Sequence, residues 1–248
     1  MSHASTPYPE AAAGATTGTD TGADRGRDTG SDTDPGPGAD RGPGAGADLP
    51  QDHTQAILET TKRVGTLLKA TGRPFALAGS VAAFAHGVPA RFQHDTDFCL
   101  RREDAPEVMA ALEEGGVRLR ESSEDWLVKA RSEGEDIDLI FELARRPVSS
   151  DLLDRAEVRS VDSVYMPVLA PTDLMDSLLA ALTEHYCDFG GLLPTARVLR
   201  ERIDWDRLDR AHRADPLPDA FLYLLERLDI IGPREHGRPG ATGKEPRS

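Results

Sequence analysis

The chain has 248 residues and a formal charge of −14, with 43 acidic against 29 basic side chains. That balance argues against sequence-independent binding to long nucleic acid, which depends on Lys and Arg contacts to phosphate. It leaves room for a small anionic ligand held by metal and a few local cations. No apolar run approaches the ~20 residues of a membrane span, and two cysteines, Cys99 and Cys187, fit a reducing cytoplasm without a disulfide framework.

Residues 1–50 are Gly, Asp, Thr, Pro and Ala, with almost no large apolar side chain between Tyr8 and Leu49. Such a segment cannot bury enough surface to offset its chain entropy, and its composition predicts disorder. It lacks the basic start and continuous apolar stretch of a secretory signal. It carries −5 of the charge (Glu10 and seven Asp against Arg25, Arg27 and Arg41), so the remainder carries −9. Residues 52–69 place Ile57, Val64, Leu67 and Leu68 at helical spacing and are stopped by Gly72-Arg73-Pro74. Residues 75–78 read as a short buried strand, and Ser80 as the cap of a helix over 81–86 that Gly87 and Pro89 end. A second strand follows at 95–100, then a helix over 103–114 stopped by Gly115-Gly116. Residues 117–120, 126–130 and 137–141 read as further strands with turns at 122–124 and 133–135, and 158–169 as a last extended segment. From Pro171 the period changes, predicting helices over 172–182, 194–202, 205–211 and 219–228. The organisation expected is a disordered segment (1–50), an α/β core (51–170), a helical region (171–231) and a flexible Gly/Pro/Arg-rich tail (232–248).

The chemistry concentrates in three apolar runs. The first ends in Gly79-Ser80, the second opens on Asp95-Thr96-Asp97, and the third, DIDLIF (136–141), carries Asp138. Strand side chains alternate, so Asp95, Asp97 and Cys99 share one face and Thr96, Phe98 and Leu100 the other. In the third run Ile137, Leu139 and Phe141 form the packed face, leaving Asp136, Asp138 and Ile140 on an open one. A single Asp on a strand means little, but Asp is a poor strand former and here recurs within two tightly apolar segments. Three carboxylates at one spot repel each other unless a divalent cation neutralises them, which reads as a two-metal site for phosphoryl or nucleotidyl transfer. Gly79 would let a phosphate approach the chain, and Ser80 with the helix amides would hold it. Arg91, just upstream of the acidic pair, is a candidate phosphate contact. His86 and His94 have no second His or Cys at metal-ligand spacing and read as ordinary polar residues.

Together Gly79-Ser80, HGVPAR (86–91), Asp95-Thr96-Asp97 and Asp138 resemble the polymerase-beta-type nucleotidyltransferase superfamily, and more closely its AbiEii-like minimal bacterial members. APTDLM (170–175) followed by HYCDF (185–189) is similar to that family's C-terminal helical segment. The resemblance implies an α+β fold, a nucleotidyltransferase-like mixed sheet with helices on one face, followed by a C-terminal helical region. It also implies Gly79, Ser80 and Arg91 as nucleotide-binding residues. Asp95, Asp97 and Asp138 would be both the catalytic residues and the ligands of Mg²⁺. The chain departs from the pattern at Ala78, where a glycine is usual, at Thr96, where a bulky aliphatic is usual, and at Ser177 and Leu178, near which relatives carry a lysine. Arg91, with Lys129 or Arg131, is left to supply positive charge.

The function expected is Mg²⁺-dependent transfer of a nucleoside monophosphate from a nucleoside triphosphate to an acceptor hydroxyl. The acceptor is a small molecule, a protein or an RNA end. The alternative is a catalytically degenerate module of the same fold that binds nucleotide or protein, including a toxin–antitoxin component. A DxD-type glycosyltransferase would need a larger nucleotide-sugar domain than the 180 or so foldable residues here.

Overall fold

The computed structural model describes residues 51–90, 92, 95–120 and 122–234. The readings for 1–50, for Arg91 and His94, and for 235–248 lie outside the described residues.

Helix α1 (Gln51–Thr71) ends at Gly72, whose φ of +69° is a left-handed stop. It buries Ile57, Leu58, Val64 and Leu68. Strand β1 (Phe75–Leu77) runs directly into α2 (Gly79–Ala85), and β2 (Asp95–Leu100) leads through a 3₁₀ turn to α3 (Ala105–Glu114). Then come β3 (Arg118–Arg120), β4 (Leu127–Ser132), β5 (Glu135–Ile140) and a small hairpin of β6 (Glu142–Leu143) and β7 (Arg146–Pro147). Helix α4 (Ser150–Asp154) precedes β8 (Glu157–Val161) and β9 (Val164–Val168). Four helices close the described chain: α5 (Pro171–Ala180), α6 (Phe189–Leu199), α7 (Trp205–His212) and α8 (Pro216–Arg227). No helix among the described residues is long and apolar enough to cross a membrane.

Seven strands form one mixed sheet in the order β3-β4-β5-β2-β1-β9-β8. β2 is parallel to β5 and β1 to β9, and the other neighbours are antiparallel. This is the α+β, nucleotidyltransferase-like arrangement with a C-terminal helical region that the sequence predicts. The β4–β5 turn sets the register of the sheet's most highly charged strands. Glu133 and Gly134 both take positive φ (54° and 98°), so two residues close the hairpin and Ser132 pairs with Glu135. That turn fixes Lys129 opposite Asp138 and Arg131 opposite Asp136.

Four expectations need correction. Residues 158–169 are not one extended segment but a hairpin, β8–β9, turned by Asp162 and Ser163 at φ of 42° and 75°. With no glycine at the turn, Asp162-Ser163 is only a weak turn signal in the sequence. Helix α6 starts a turn before Pro194, which lies inside it, and the short α4, capped by Ser149 Oγ accepting from Leu152 N at 3.2 Å, was not foreseen. Ser80 is not the cap of its helix, because α2 begins at Gly79 with Ala78 at the cap position. Finally, the Asp97 face is not open along its length. Cys99 is fully buried and Ile140 nearly so, which leaves the exposed part at the Asp136 end.

Helix α5 is tied to α4, the β6–β7 hairpin and α7 by two buried carboxylates. Asp173 accepts from Arg155 Nε and Nη2 at 2.9 and 3.0 Å and from Arg207 Nη2 at 2.8 Å. Asp176 accepts from Arg146 and lies 2.7 Å from His212 Nε2. Asp176 is thereby held below the usual carboxylate range: its hydrogen bond to His212 and the Arg146 charge outweigh the opposing effect of burial. Beyond α8, Arg234 pairs with Asp209 of α7 and Asp219 of α8. Replacing Asp173 with Ala leaves two arginines from different elements without a shared acceptor. Both are partly solvated, so the loss should be on the order of 2 kcal/mol rather than that of a wholly buried pair. A urea melt of the variant measures it, and an unchanged midpoint would mean that Asp173 does not tie α4 and α7 together.

Candidate functional site

The site is built from the middle of the sheet. Thr96 is fully buried, and its Oγ1 lies 3.1 Å from Thr61 Oγ1 on α1, so α1 covers that face of β2. Asp95 and Asp97, one residue to either side, must then project from the opposite face. The parallel register sets Asp95 beside Asp136 and Asp97 beside Asp138. Carboxylate oxygens of Asp95, Asp97 and Asp138 lie within 4.8 Å of one another. The three aspartates singled out in the sequence therefore meet at one point.

Gly79 belongs to the same construction, for a reason the sequence does not display. Its φ is +62°, and a Cβ there would stand 1.9 Å from Asp97 Oδ2. The glycine is required by the carboxylate as much as by the turn. Ala78 N donates to Asp97 O at 2.9 Å, which locks the end of β1 to the acidic strand. Ser80 stands half-buried in the first turn of α2, next to this contact. Arg91 lies outside the described residues.

Burial pushes the Asp97 carboxyl up to about 8, with Asp95 and Asp138 adding to the shift and Lys129 opposing it. Asp138 is also raised, first by burial, although Lys129 Nζ at 3.5 Å offsets part of the effect. The Cys99 thiol, buried beneath Asp97 on the same face, is pushed up by burial and by that carboxylate, and stays an inert thiol. Cys187 is exposed and also free, so there is no disulfide between the two. His86 is an internal strut rather than a ligand. Nε2 lies 2.8 Å from Leu169 O, Nδ1 lies 3.2 Å from Arg202 Nη1, and burial lowers its pKa. The arginine can only donate, so the neutral ring accepts at Nδ1 and donates from Nε2.

Sequence reasoning missed Arg120. Its Nη1 lies 3.8 Å from Asp136, and with Asp95, Lys129, Ala130, Asp136 and Asp138 it lines a cavity of about 110 Å³. The usable signal was the alternation Arg118-x-Arg120 followed by Lys129-x-Arg131, two basic pairs on adjacent strands.

Three carboxylates forced together, one of them protonated near neutrality, form a hard oxygen-donor set that suits a divalent cation of the magnesium or calcium type. Comparison with known proteins gives the family. Residues 50–229 match the family model described as "Uncharacterised nucleotidyltransferase". The chain belongs to that family and is a nucleotidyltransferase. No curated protein sequence matches it. Among solved structures it is similar to ANT(2'')-Ia in complex with adenylyl-2''-tobramycin, at 13% identity and a TM-score of 0.48, over 68% of this chain and 98% of that one. It is also similar to a putative nucleotidyltransferase from Thermotoga maritima, at 18% identity and a TM-score of 0.39, over 70% and 95%. A third is the lincosamide antibiotic adenylyltransferase LnuA with lincomycin bound, at 13% identity and a TM-score of 0.40, over 61% and 99%.

The raised Asp97 gives a signed pH dependence. Its folded-state pKa lies above its ordinary value of 3.8, so the metal-free fold holds a proton that the unfolded chain releases. That contribution is fully present below about pH 4 and is lost as pH rises through about 8. With chelator present, wild type should lose stability over this range relative to Asp97→Asn, by at least about 1 kcal/mol. Parallel stability–pH curves for the two proteins would contradict the clustered-carboxylate reading.

Proposed function

We propose that this nucleotidyltransferase moves a nucleoside monophosphate from a nucleoside triphosphate such as ATP to an acceptor hydroxyl, with Mg²⁺ as its divalent ion, and that it is of the AbiEii-like minimal type. The observation that carries the reading is the convergence of Asp95, Asp97 and Asp138 from two neighbouring strands. The AbiEii-like subtype rests on Gly79-Ser80, HGVPAR (86–91) and APTDLM (170–175).

Asp95, Asp97 and Asp138 would hold the metal. Their fit is supported by the all-oxygen donor set and by the repulsion from Asp95 and Asp138 that adds to the burial-driven rise of Asp97. When bound, divalent ions neutralise triphosphate charge and lower the pKa of the acceptor hydroxyl. Gly79 and Ser80 bind the triphosphate on the β1 side of the acidic pair, Arg91 being assigned to the same role on sequence alone. The acceptor oxygen forms a bond to the α-phosphorus, the bond to the β-phosphate oxygen breaks, and pyrophosphate leaves with that electron pair. Asp138, buried at the edge of the cluster, takes the proton of the acceptor hydroxyl. Positioning and charge account for the acceleration, and no covalent intermediate on the protein is needed.

Incubation with cell extract, Mg²⁺ and nucleoside triphosphates labelled at the α or the γ position tests this. Label should pass to an acceptor from the α position only and be lost in Asp138→Asn. Transfer from the γ position would instead make the protein a kinase. Ser80→Ala should weaken triphosphate affinity by roughly 1–2 kcal/mol, the range for a hydrogen bond to a charged group, and melting curves are recorded alongside. Lower stability with unchanged affinity would make Ser80 purely structural.

A further inference from the structure

The acidic cluster is half of a larger pattern. Register pairs extend it into two rows across four strands: Arg120, Lys129, Asp138 and Asp97 in one, and Arg118, Arg131, Asp136 and Asp95 in the other. Residues directly paired across strands share a face, so all eight charges stand on the same side of the sheet. The basic half occupies β3 and β4 and the acidic half β5 and β2. On the far side of β2 lies β1, which ends at Gly79. The carboxylates thus have a glycine–serine turn on one flank and a cationic strip on the other, in a chain whose net charge is −14.

Charge balance alone does not account for that strip. Lys129 approaches Asp138 at 3.5 Å, and Arg120 and Arg131 approach Asp136 at 3.8 and 3.6 Å. The Lys129 and Arg120 side chains are each 52% exposed; the Arg120–Asp136 pair, exposed on both sides, contributes little, and at 3.5 Å Lys129 offsets only part of the rise in buried Asp138. Arg131 is further committed to the β4–β5 turn, with Nε and Nη2 at 3.0 and 2.7 Å from Gly134 O. Among the described residues Arg120 and Lys129 have no such backbone tie, and both line the cavity of about 110 Å³ beside Asp138. Sites that enclose a whole organic ligand measure roughly 300–1,000 Å³, so this one has room for a single small polar group. A cation on the aspartates would satisfy their charge and leave Arg120 and Lys129 facing the cavity as hydrogen-bond donors.

The geometry points to Arg120 and Lys129 as the acceptor-specificity residues: they bind an oxyanion, a phosphate or carboxylate, that the acceptor carries near its reactive hydroxyl. This rests on the nucleotidyl-transfer reading above and adds the acceptor's class to it. The donor's phosphates lie on the β1 flank in that reading, so the β3–β4 flank is left for the acceptor. A guanidinium fork beside an ammonium suits an oxyanion, each donating to different oxygens.

The test uses the full chain and calorimetric titration with inorganic phosphate and, separately, acetate. Each is run in Mg²⁺ alone and in Mg²⁺ with a saturating non-hydrolysable ATP analogue that occupies the donor site. Arg120→Gln and Lys129→Gln should each weaken oxyanion binding about tenfold, the loss of one charge-assisted contact, and change analogue affinity less than about twofold. Lys129→Arg, which keeps the charge, should retain binding, and melting curves confirm that each variant folds. The preferred probe, phosphate or acetate, names the group the acceptor carries. Unchanged oxyanion affinity in both Gln variants would reduce the strip to partners of the aspartates and overturn the inference. So would an analogue affinity that falls as far as the oxyanion's, because the pair would then serve the donor. Failure of the analogue to bind wild type sinks the nucleotide reading instead, while the titration in Mg²⁺ alone still supports or overturns the oxyanion site.

Discussion

The structure turns on a repulsion that the fold imposes and does not itself relieve. The parallel register of β2 and β5 sets Asp97 beside Asp138, and alternation along β2 adds Asp95 to the same face. The three carboxylates lie within 4.8 Å, and Asp97, raised first by burial and further by its two acidic neighbours, holds its proton to about pH 8. Negative charges so close, in a partly water-excluded setting, cost the metal-free protein stability. A protein tolerates such a cost where a ligand removes it, and a divalent cation removes it most directly.

Much of the remaining architecture keeps that cluster in place. The two-residue turn at Glu133-Gly134 fixes the register of β4 on β5, and with it the approach of Lys129 to Asp138. Gly79 leaves space that a methyl group would take from the Asp97 carboxylate. Thr61 and Thr96 bond beneath the sheet, so α1 holds β2 from the side away from the site. Further out, Asp173 and Asp176 collect arginines and a histidine from separate elements and bind the helical region to the core. These two aspartates are buried and fully paired, whereas the site aspartates are crowded with one another. That contrast sets the proposed site carboxylates apart from the structural pair.

The acidic site was legible in the sequence because its signal is local. Asp95-Thr96-Asp97 and Asp138 interrupt strongly apolar strands, and period-two alternation is enough to put them on one face. The strand and helix order was legible for the same reason, since apolar periodicity changes at Pro171. What was not legible depends on backbone geometry or on pairing between distant segments. The Asp162-Ser163 turn carries positive φ without the glycine that would have announced it. Ser80 looked like a helix cap because the helix start was placed two residues late. Arg120 was overlooked because its meaning comes only from lying across from Lys129, one strand beyond Asp138. The burial of Cys99 and Ile140 comes from packing that strand alternation cannot report.

The central proposal is that Asp95, Asp97 and Asp138 form a cation site whose burial and crowding keep Asp97 protonated until a metal arrives. Its most direct test is the proton released when Mg²⁺ binds, measured at pH 7 by calorimetry in two buffers of different ionisation enthalpy. With Asp97 titrating near 8, binding at pH 7 should expel close to one proton, and fewer as the pH rises above 8. Asp97→Asn should release markedly less. Binding of Mg²⁺ without proton release at pH 7, or the same release from wild type and Asp97→Asn, would contradict the claim.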